Sequence, residues 1–261
     1  MANATHHISL RDLSHVFTDG RTPLRALEDI SLDVPRGAFT SVIGPSGCGK
    51  STLLRIVGGL TEPSEGSVAI DGERPGIAQR HHDIGFVFQD PALLPWRSVA
   101  ANVRLPLEIN GRRRSADVDG LLDLVGLSEF RDYYPHQLSG GMQGRVAIAR
   151  ALAVDPSLLL MDEPFGALDE ITRGSMRYEL LRIWASQAEA AARKTILFVT
   201  HSITEAIVMS DRVVVLTGRP GRIVDQVDIE LRRPRTREIE RSTPFLDYAD
   251  HLRGLLNGAA A

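Results

Sequence analysis

The sequence predicts an α/β domain with a helical insertion, on three observations. Short apolar runs at Phe39-Thr40-Ser41-Val42-Ile43, Ser157 to Met161 and Thr195 to Val199 have the length and continuity of strands buried in a parallel sheet. Helical spacing separates them, over Ser51 to Leu60 and over Ile171 to Ala192. Between about Asp90 and Ala153, helical periods dominate and strand signals are few. Strands alternating with helices imply a layered α/β core, and the helical stretch reads as an insertion into it.

The elements follow in order. Ile8-Ser9-Leu10, Leu13 to Phe17 and Ile30 to Val34 alternate apolar and polar residues, as half-buried strands do. Thr18 to Pro23 is a polar turn between two of them, and Glu65 to Gly72 reads as a turn and a strand. Leu121 to Leu127 reads as a helix closing at Gly126, and Gly144 to Leu152 as a helix opened by a glycine-rich turn. Val213 to Leu216, then Gly218-Arg219-Pro220-Gly221, then Ile223 to Ile229 form a hairpin pattern. The tail from Leu231 to Ala261 is charged and reads as peripheral.

Between the run ending at Ile43 and the helix from Ser51 lies Gly44-Pro45-Ser46-Gly47-Cys48-Gly49-Lys50-Ser51-Thr52, a G-x-x-x-x-G-K-[ST] phosphate loop. Its glycines let the backbone curl so that several N–H groups point at one phosphate. Lys50 supplies a charge for the β- and γ-phosphates, the Ser51 hydroxyl suits Mg²⁺, and the helix adds its positive end. Nucleotide binding is the expectation.

Bulk properties narrow the rest. With 261 residues and 43 % hydrophobic content, the chain can bury a sizeable core. A net charge of −3 argues against a nucleic-acid surface. Arg112-Arg113-Arg114 reads as a solvated loop, and His6-His7 and His81-His82 as exposed polar pairs. The single cysteine, Cys48, excludes an intrachain disulfide and suits a reducing compartment. Cys48 is either a small loop residue or a thiol activated by the helix end and Lys50. No secretory pattern opens the chain and no apolar run spans a bilayer, so work at a membrane requires a partner with spanning helices.

Further segments carry chemistry. In Leu160-Met161-Asp162-Glu163-Pro164, an acid ends a buried strand, where Asp162 can hold Mg²⁺ and Glu163 can polarise water. Leu138-Ser139-Gly140-Gly141-Met142 precedes a helix, offering a second phosphate-binding surface. Gln89 follows the apolar run Ile84 to Phe88 and can touch both Mg²⁺ and water; His201 follows a strand and can reach a γ-phosphate.

In order and spacing, the phosphate loop, Gln89, Leu138 to Gly141, Asp162-Glu163, Ala167-Leu168-Asp169 and His201 resemble the ATP-binding cassette (ABC) ATPases, from about Ile8 to Ile229. The resemblance implies a domain over about 8–230, with a RecA-like core (8–89 and 154–230), an N-terminal antiparallel β portion, a helical subdomain (90–153) and a peripheral tail (231–261). It implies ATP and Mg²⁺ as ligands, with Ser51, Gln89 and Asp162 toward the metal. Catalysis is assigned to Lys50, Gln89, Glu163 and His201, nucleotide contact to residues 44–52, and the signature to Ser139, Gly140, Gly141 and Met142. Asp169 matches the D-loop aspartate. Phe17 takes the position of an adenine-stacking aromatic, with simple core packing as its other reading.

In this family two ATPase domains sandwich each ATP between the phosphate loop of one and the signature of the other. The resemblance therefore implies a homodimer, or pairing with another cassette chain. It also implies separate permease subunits, an extracytoplasmic substrate-binding protein, and a peripheral place on the cytoplasmic membrane face. Met142, Leu93-Leu94-Pro95-Trp96, the run Met161 to Asp169 and Arg233-Pro234-Arg235 are similar to the nitrate/sulfonate/taurine uptake subfamily. Trp96 would contact the permease or pack locally. Gly144 departs from that pattern, which usually has glutamine; within a helix glycine costs about 1 kcal/mol relative to alanine. A non-transport ABC ATPase of DNA repair or translation, a purely regulatory nucleotide-binding module, and an exporter ATPase are the competing expectations. The first usually carries long insertions or two cassettes, and this sequence has neither.

Overall fold

The computed structural model describes residues 6–18, 22–109, 117–166, 168–185 and 193–259. Arg112-Arg113-Arg114, residues 19–21 of the 18–23 turn, Ala167 and the stretch 186–192 lie outside the described residues. In chain order the elements are β1 (His6–Phe17), β2 (Leu24–Pro35), β3 (Phe39–Ile43), α1 (Lys50–Val57), β4 (Glu65–Ile70), α2 (Pro75–His81), β5 (Ile84–Val87), α3 (Val99–Ile109) and α4 (Val118–Leu124). There follow α5 (Gly140–Leu152), β6 (Leu158–Asp162), α6 (Glu170–Ala185), β7 (Thr195–Val199), α7 (Ile203–Met209), β8 (Arg212–Leu216), β9 (Ile223–Asp228) and α8 (Thr243–Ala259). They fall into two compact units, residues 1–81 with 187–261, and residues 82–186.

In the first unit β1 is the middle strand of an antiparallel sheet, β2-β1-β4. The two N-terminal runs read from the sequence are one strand, irregular between Leu10 and Leu13, where Asp12 takes a positive φ of 49°. The alternation was real: Ile8, Leu10, Leu13, Ile30, Leu32 and Val34 are buried while Arg11 is exposed. β3 lies between β7 and β8, parallel to both, and β9 pairs antiparallel with β8. Every residue of β3 and β7 is buried, as a sheet covered on both faces demands.

His7 is a correction to the exposed-pair reading. It is 1 % exposed and its Nδ1 lies 2.6 Å from Thr195 Oγ1. The alternation fails at this point, where the β1–β2 register shifts between His6 and Ile8 and His7 is buried beside Ile8. The charged tail is likewise less simple than its composition. α8 buries Phe245, Ala249 and Leu252. Arg235 is 5 % exposed and donates to the carbonyls of Ile207, Val208, Ser210, Ile229 and Leu231. Three of these carbonyls lie at the end of α7, where a helix leaves acceptors without intrahelical partners. Burial pushes the guanidinium down to about 10, still charged at neutral pH. Arg233 pairs with Asp211 at 2.8 Å beside it.

In the second unit β5 and β6 pair in parallel, with Ile84 opposite Leu158 and Val87 opposite Met161. α5 begins at Gly140 rather than Gly144, so the glycine-rich segment is its first turn and not a preceding loop. Trp184 on α6 is buried in this unit, and Phe198 on β7 is buried in the first, as expected of core aromatics.

Candidate nucleotide site

In the first unit β3 delivers the chain into the phosphate loop, and α1 leaves it. Gly47 and Gly49 take φ of +75° and +101°, a region that side-chain-bearing residues avoid. At Gly49 a Cβ would also fall 2.7 Å from Leu27 Cδ2 and 2.8 Å from Ala26 O, so the β2 edge presses on the loop. Lys50 is 6 % exposed, and its Nζ donates to Gly44 O at 2.9 Å and Pro45 O at 3.0 Å. The ammonium therefore sits within the curve of the loop. Ser51 and Thr52 are half-buried in the first turn of α1.

Cys48 overturns the activated-thiol reading. It is 1 % exposed, and burial pushes its thiol up, against the lowering effect of Lys50, whose Nζ is 3.8 Å from the sulfur. Here the loss of water outweighs the pull of the cation.

The same unit holds Phe17 and His201. Phe17 is half-buried at the end of β1 and meets the His15 ring edge-on at 4.7 Å, so it is not a core residue. His201 is exposed between β7 and α7, whose first turn is capped by Ser202 accepting from Glu205 N. Thr200, on the other side of His201, donates to the Glu205 carboxylate and accepts from Ser202 N at 3.0 Å, so the strand-to-helix turn is fixed on both sides.

The second unit holds the other candidates. Asp162 ends the buried strand β6 at 5 % exposure, and Glu163 follows, half-buried, with a positive φ of 44°. A non-glycine residue held there stores backbone strain, a recurrent feature of functional positions. The turn is closed by Gly166 N donating to Glu163 O at 3.0 Å. Gln89 is exposed just after β5. The segment after it is pinned by Arg150, whose guanidinium donates to Pro91 O at 2.6 Å and Ala92 O at 2.9 Å. Buried Asn102 binds both the N–H and the carbonyl of Leu94 and the carbonyls of Arg97 and Ser98. The turn so held presents Trp96 at 71 % exposure, which rules out local packing for that ring.

Ser139 caps α5, its hydroxyl accepting from Met142 N at 3.3 Å. Ser139 and Gly140 are exposed, and Gly141 and Met142 half-exposed. A Cβ on Gly141 would fall 2.3 Å from Leu168 Cδ2, so the helix start fits closely beneath. Asp169 is exposed and accepts from Thr172 at the start of α6; this holds its carboxyl below the ordinary range.

Toward a metal, Ser51, Gln89 and Asp162 offer a hydroxyl, an amide oxygen and one carboxylate. Each is a hard oxygen donor of the kind Mg²⁺ prefers, Ser51 in the first unit and Gln89 and Asp162 in the second.

A profile of the ABC transporter family matches residues 27–166. The chain belongs to the ABC transporter family. It is 47 % identical over 255 residues to an uncharacterized ABC transporter ATP-binding protein of Methanocaldococcus jannaschii, covering 95 % of this chain and 91 % of that one. It is 44 % identical over 249 residues to the taurine import ATP-binding protein TauB of Rhizobium johnstonii, covering 91 % of each. It is 41 % identical over 264 residues to the nitrate import ATP-binding protein NrtD of Synechocystis, covering 97 % and 96 %. Among solved structures it is similar to the dimeric ATP-binding cassette MJ0796 bound to ADP and Pi. That match has a TM-score of 0.76 and 33 % identity, over 86 % of this chain and all of that one. This ABC chain is thus an ATPase of the nitrate/sulfonate/taurine group. No helix among its described residues is long and apolar enough to cross a membrane.

Arg150 and Asn102 are the residues the sequence reading missed. Their signal in the sequence was a polar side chain within a largely apolar helical period.

Proposed function

We propose that this chain hydrolyses ATP to power uptake of a small solute of the nitrate, sulfonate or taurine type through separate permease subunits. The observation that carries this reading is full-length similarity to import ATP-binding proteins in a chain that keeps both an intact phosphate loop and the Asp162-Glu163 pair. The protein works as a peripheral subunit on the cytoplasmic membrane face, as a homodimer or with a second cassette chain, and is fed indirectly by an extracytoplasmic binding protein.

The assigned roles follow from chemistry. Residues 44–52 wrap the phosphates with backbone N–H groups, and Lys50 balances their charge. Ser51, Asp162 and Gln89 are the residues that would hold Mg²⁺, which would supply positive charge against the phosphates. Glu163 accepts a proton from the attacking water, and Gln89 and His201 orient water and γ-phosphate. Phe17 stacks on the adenine. Ser139 to Met142 offer a capped helix start to a nucleotide held by a second subunit, and Asp169 lies on that side of the chain's roles.

The test is to co-express the chain with the permease encoded beside it. ATPase activity of the purified complex is then measured with a panel of binding-protein and solute pairs. Stimulation by one pair, lost in Glu163→Gln, supports the reading. Robust activity without any permease association contradicts it.

A further inference from the structure

The hairpin tip between β8 and β9 has no role in the chemistry above, yet it grips the phosphate loop. Arg219 donates from both Nε and Nη2 to the carbonyl oxygen of Gly47, each at 3.1 Å. The tip around it is tied by hydrogen bonds and an ion pair. Thr217 Oγ1 accepts from Arg222 N at 2.8 Å and donates among the carbonyls of Gly218 and Pro220. Arg222 pairs with Glu28 at 2.7 Å. Gly221 N donates to Ala26 O at 2.9 Å, and Glu28 N donates to Gly221 O at 3.0 Å, which laces the tip to β2. A Cβ on Gly221 would fall 2.2 Å from Cys48 O, so the tip lies directly on the loop backbone.

Gly47 is where the loop has most freedom to lose. It carries no side chain, sits at positive φ, and is exposed. Its carbonyl and the N–H of Cys48 share one planar peptide and point opposite ways. A forked guanidinium on the carbonyl therefore sets the direction of that N–H. Cys48 N donates inward to Pro45 O at 3.3 Å, on the side away from Arg219. A loop already curled binds phosphate without the entropy of curling it.

We infer that Arg219 is a positioning residue for nucleotide binding, acting from the hairpin tip by locking the Gly47–Cys48 peptide of the phosphate loop. The inference rests on the reading of residues 44–52 as the phosphate site. Because the lock acts on the loop whether or not the bond to the γ-phosphate breaks, it governs affinity and not the chemical step.

The test measures ADP dissociation constants and Mg-ATP steady-state kinetics for the full chain, Arg219→Ala, Arg219→Lys and Lys50→Ala, with melting curves without nucleotide. Losing a charge-assisted pair at an exposed site should raise the ADP Kd and the ATP KM about fivefold in Arg219→Ala. kcat should stay within about twofold. Arg219→Lys, with one donor direction in place of a fork, should recover part of the affinity. The nucleotide-free melting temperature should not move. An unchanged Kd in Arg219→Ala beside a weakened Lys50→Ala overturns the inference alone. So does a fall in kcat as large as the rise in KM. An unchanged Kd in Lys50→Ala overturns the phosphate-site reading beneath it.

Discussion

The phosphate loop and the signature segment are both glycine-rich entries into a helix, but they are built oppositely. At the loop, Lys50 and Cys48 are buried, and β2 and the hairpin tip press on the backbone from outside. At the signature, Ser139 and Gly140 are exposed, and Ser139 serves the helix it begins. One helix start is enclosed by its own unit, while the other offers its face outward. The difference teaches that two glycine-rich helix starts in one chain can be held by opposite means, one by contacts pressing on the loop from other elements and one by its own serine cap.

The largest break in that comparison comes from the chemistry at Glu163. Glu163→Gln removes the proposed base but keeps size and polarity. Hydrolysis should fall about a thousandfold with ATP affinity kept, read by steady-state turnover and nucleotide titration. Turnover within tenfold of the parent would remove Glu163 from the mechanism.

Next comes Arg235→Met, which leaves five backbone carbonyls and the end of α7 without their buried donor. Unfolding free energy should drop by about 3 kcal/mol in urea titrations, even though the substitution lies in the charged tail. A loss below about 0.5 kcal/mol, ordinary for a surface change, would mean that the tail is peripheral after all.

A smaller effect sharpens the loop side. Cys48 should react slowly with a thiol reagent in the native protein at neutral pH, since burial keeps the thiol protonated above its ordinary range. The sign follows: the folded state holds this proton more tightly than the unfolded chain. The group's stabilising contribution is thus present below the ordinary thiol pKa and lost as pH rises through the folded value. Labelling at the rate of a free thiol at neutral pH would contradict the burial.

Smallest is Gly144→Ala in α5. A Cβ there would lie 3.5 Å from Pro164 O, an ordinary contact, so the helix should gain about 0.5–1 kcal/mol. A destabilised variant in the same melts would reveal a need for glycine that packing does not show.

The sequence made one side of this comparison legible and hid the other. Residues 44–52 and Asp162-Glu163 were legible as candidates because phosphate chemistry constrains neighbours along the chain, while the signature was assigned through the family resemblance. The parallel strands were legible because burial on both faces writes a continuous apolar run. Arg219 was not, since its partner Gly47 lies 172 residues away. Nor was Arg235, whose charge suggested solvent until the end of α7 supplied its acceptors. Of the two readings of Cys48 the small loop residue held and the activated thiol did not, because charge proximity shows in sequence and desolvation does not. α5 was begun four residues late, since glycines suggest a loop unless a serine cap such as Ser139 is recognised before them.

The most direct test of the central claim is the ATP hydrolysis rate per chain against protein concentration, with mass followed by light scattering and ADP binding measured on the same samples. The expected result is one ADP bound per monomer at high dilution, with hydrolysis per chain rising as dimers form. Undiminished hydrolysis by monomers at every dilution would contradict it.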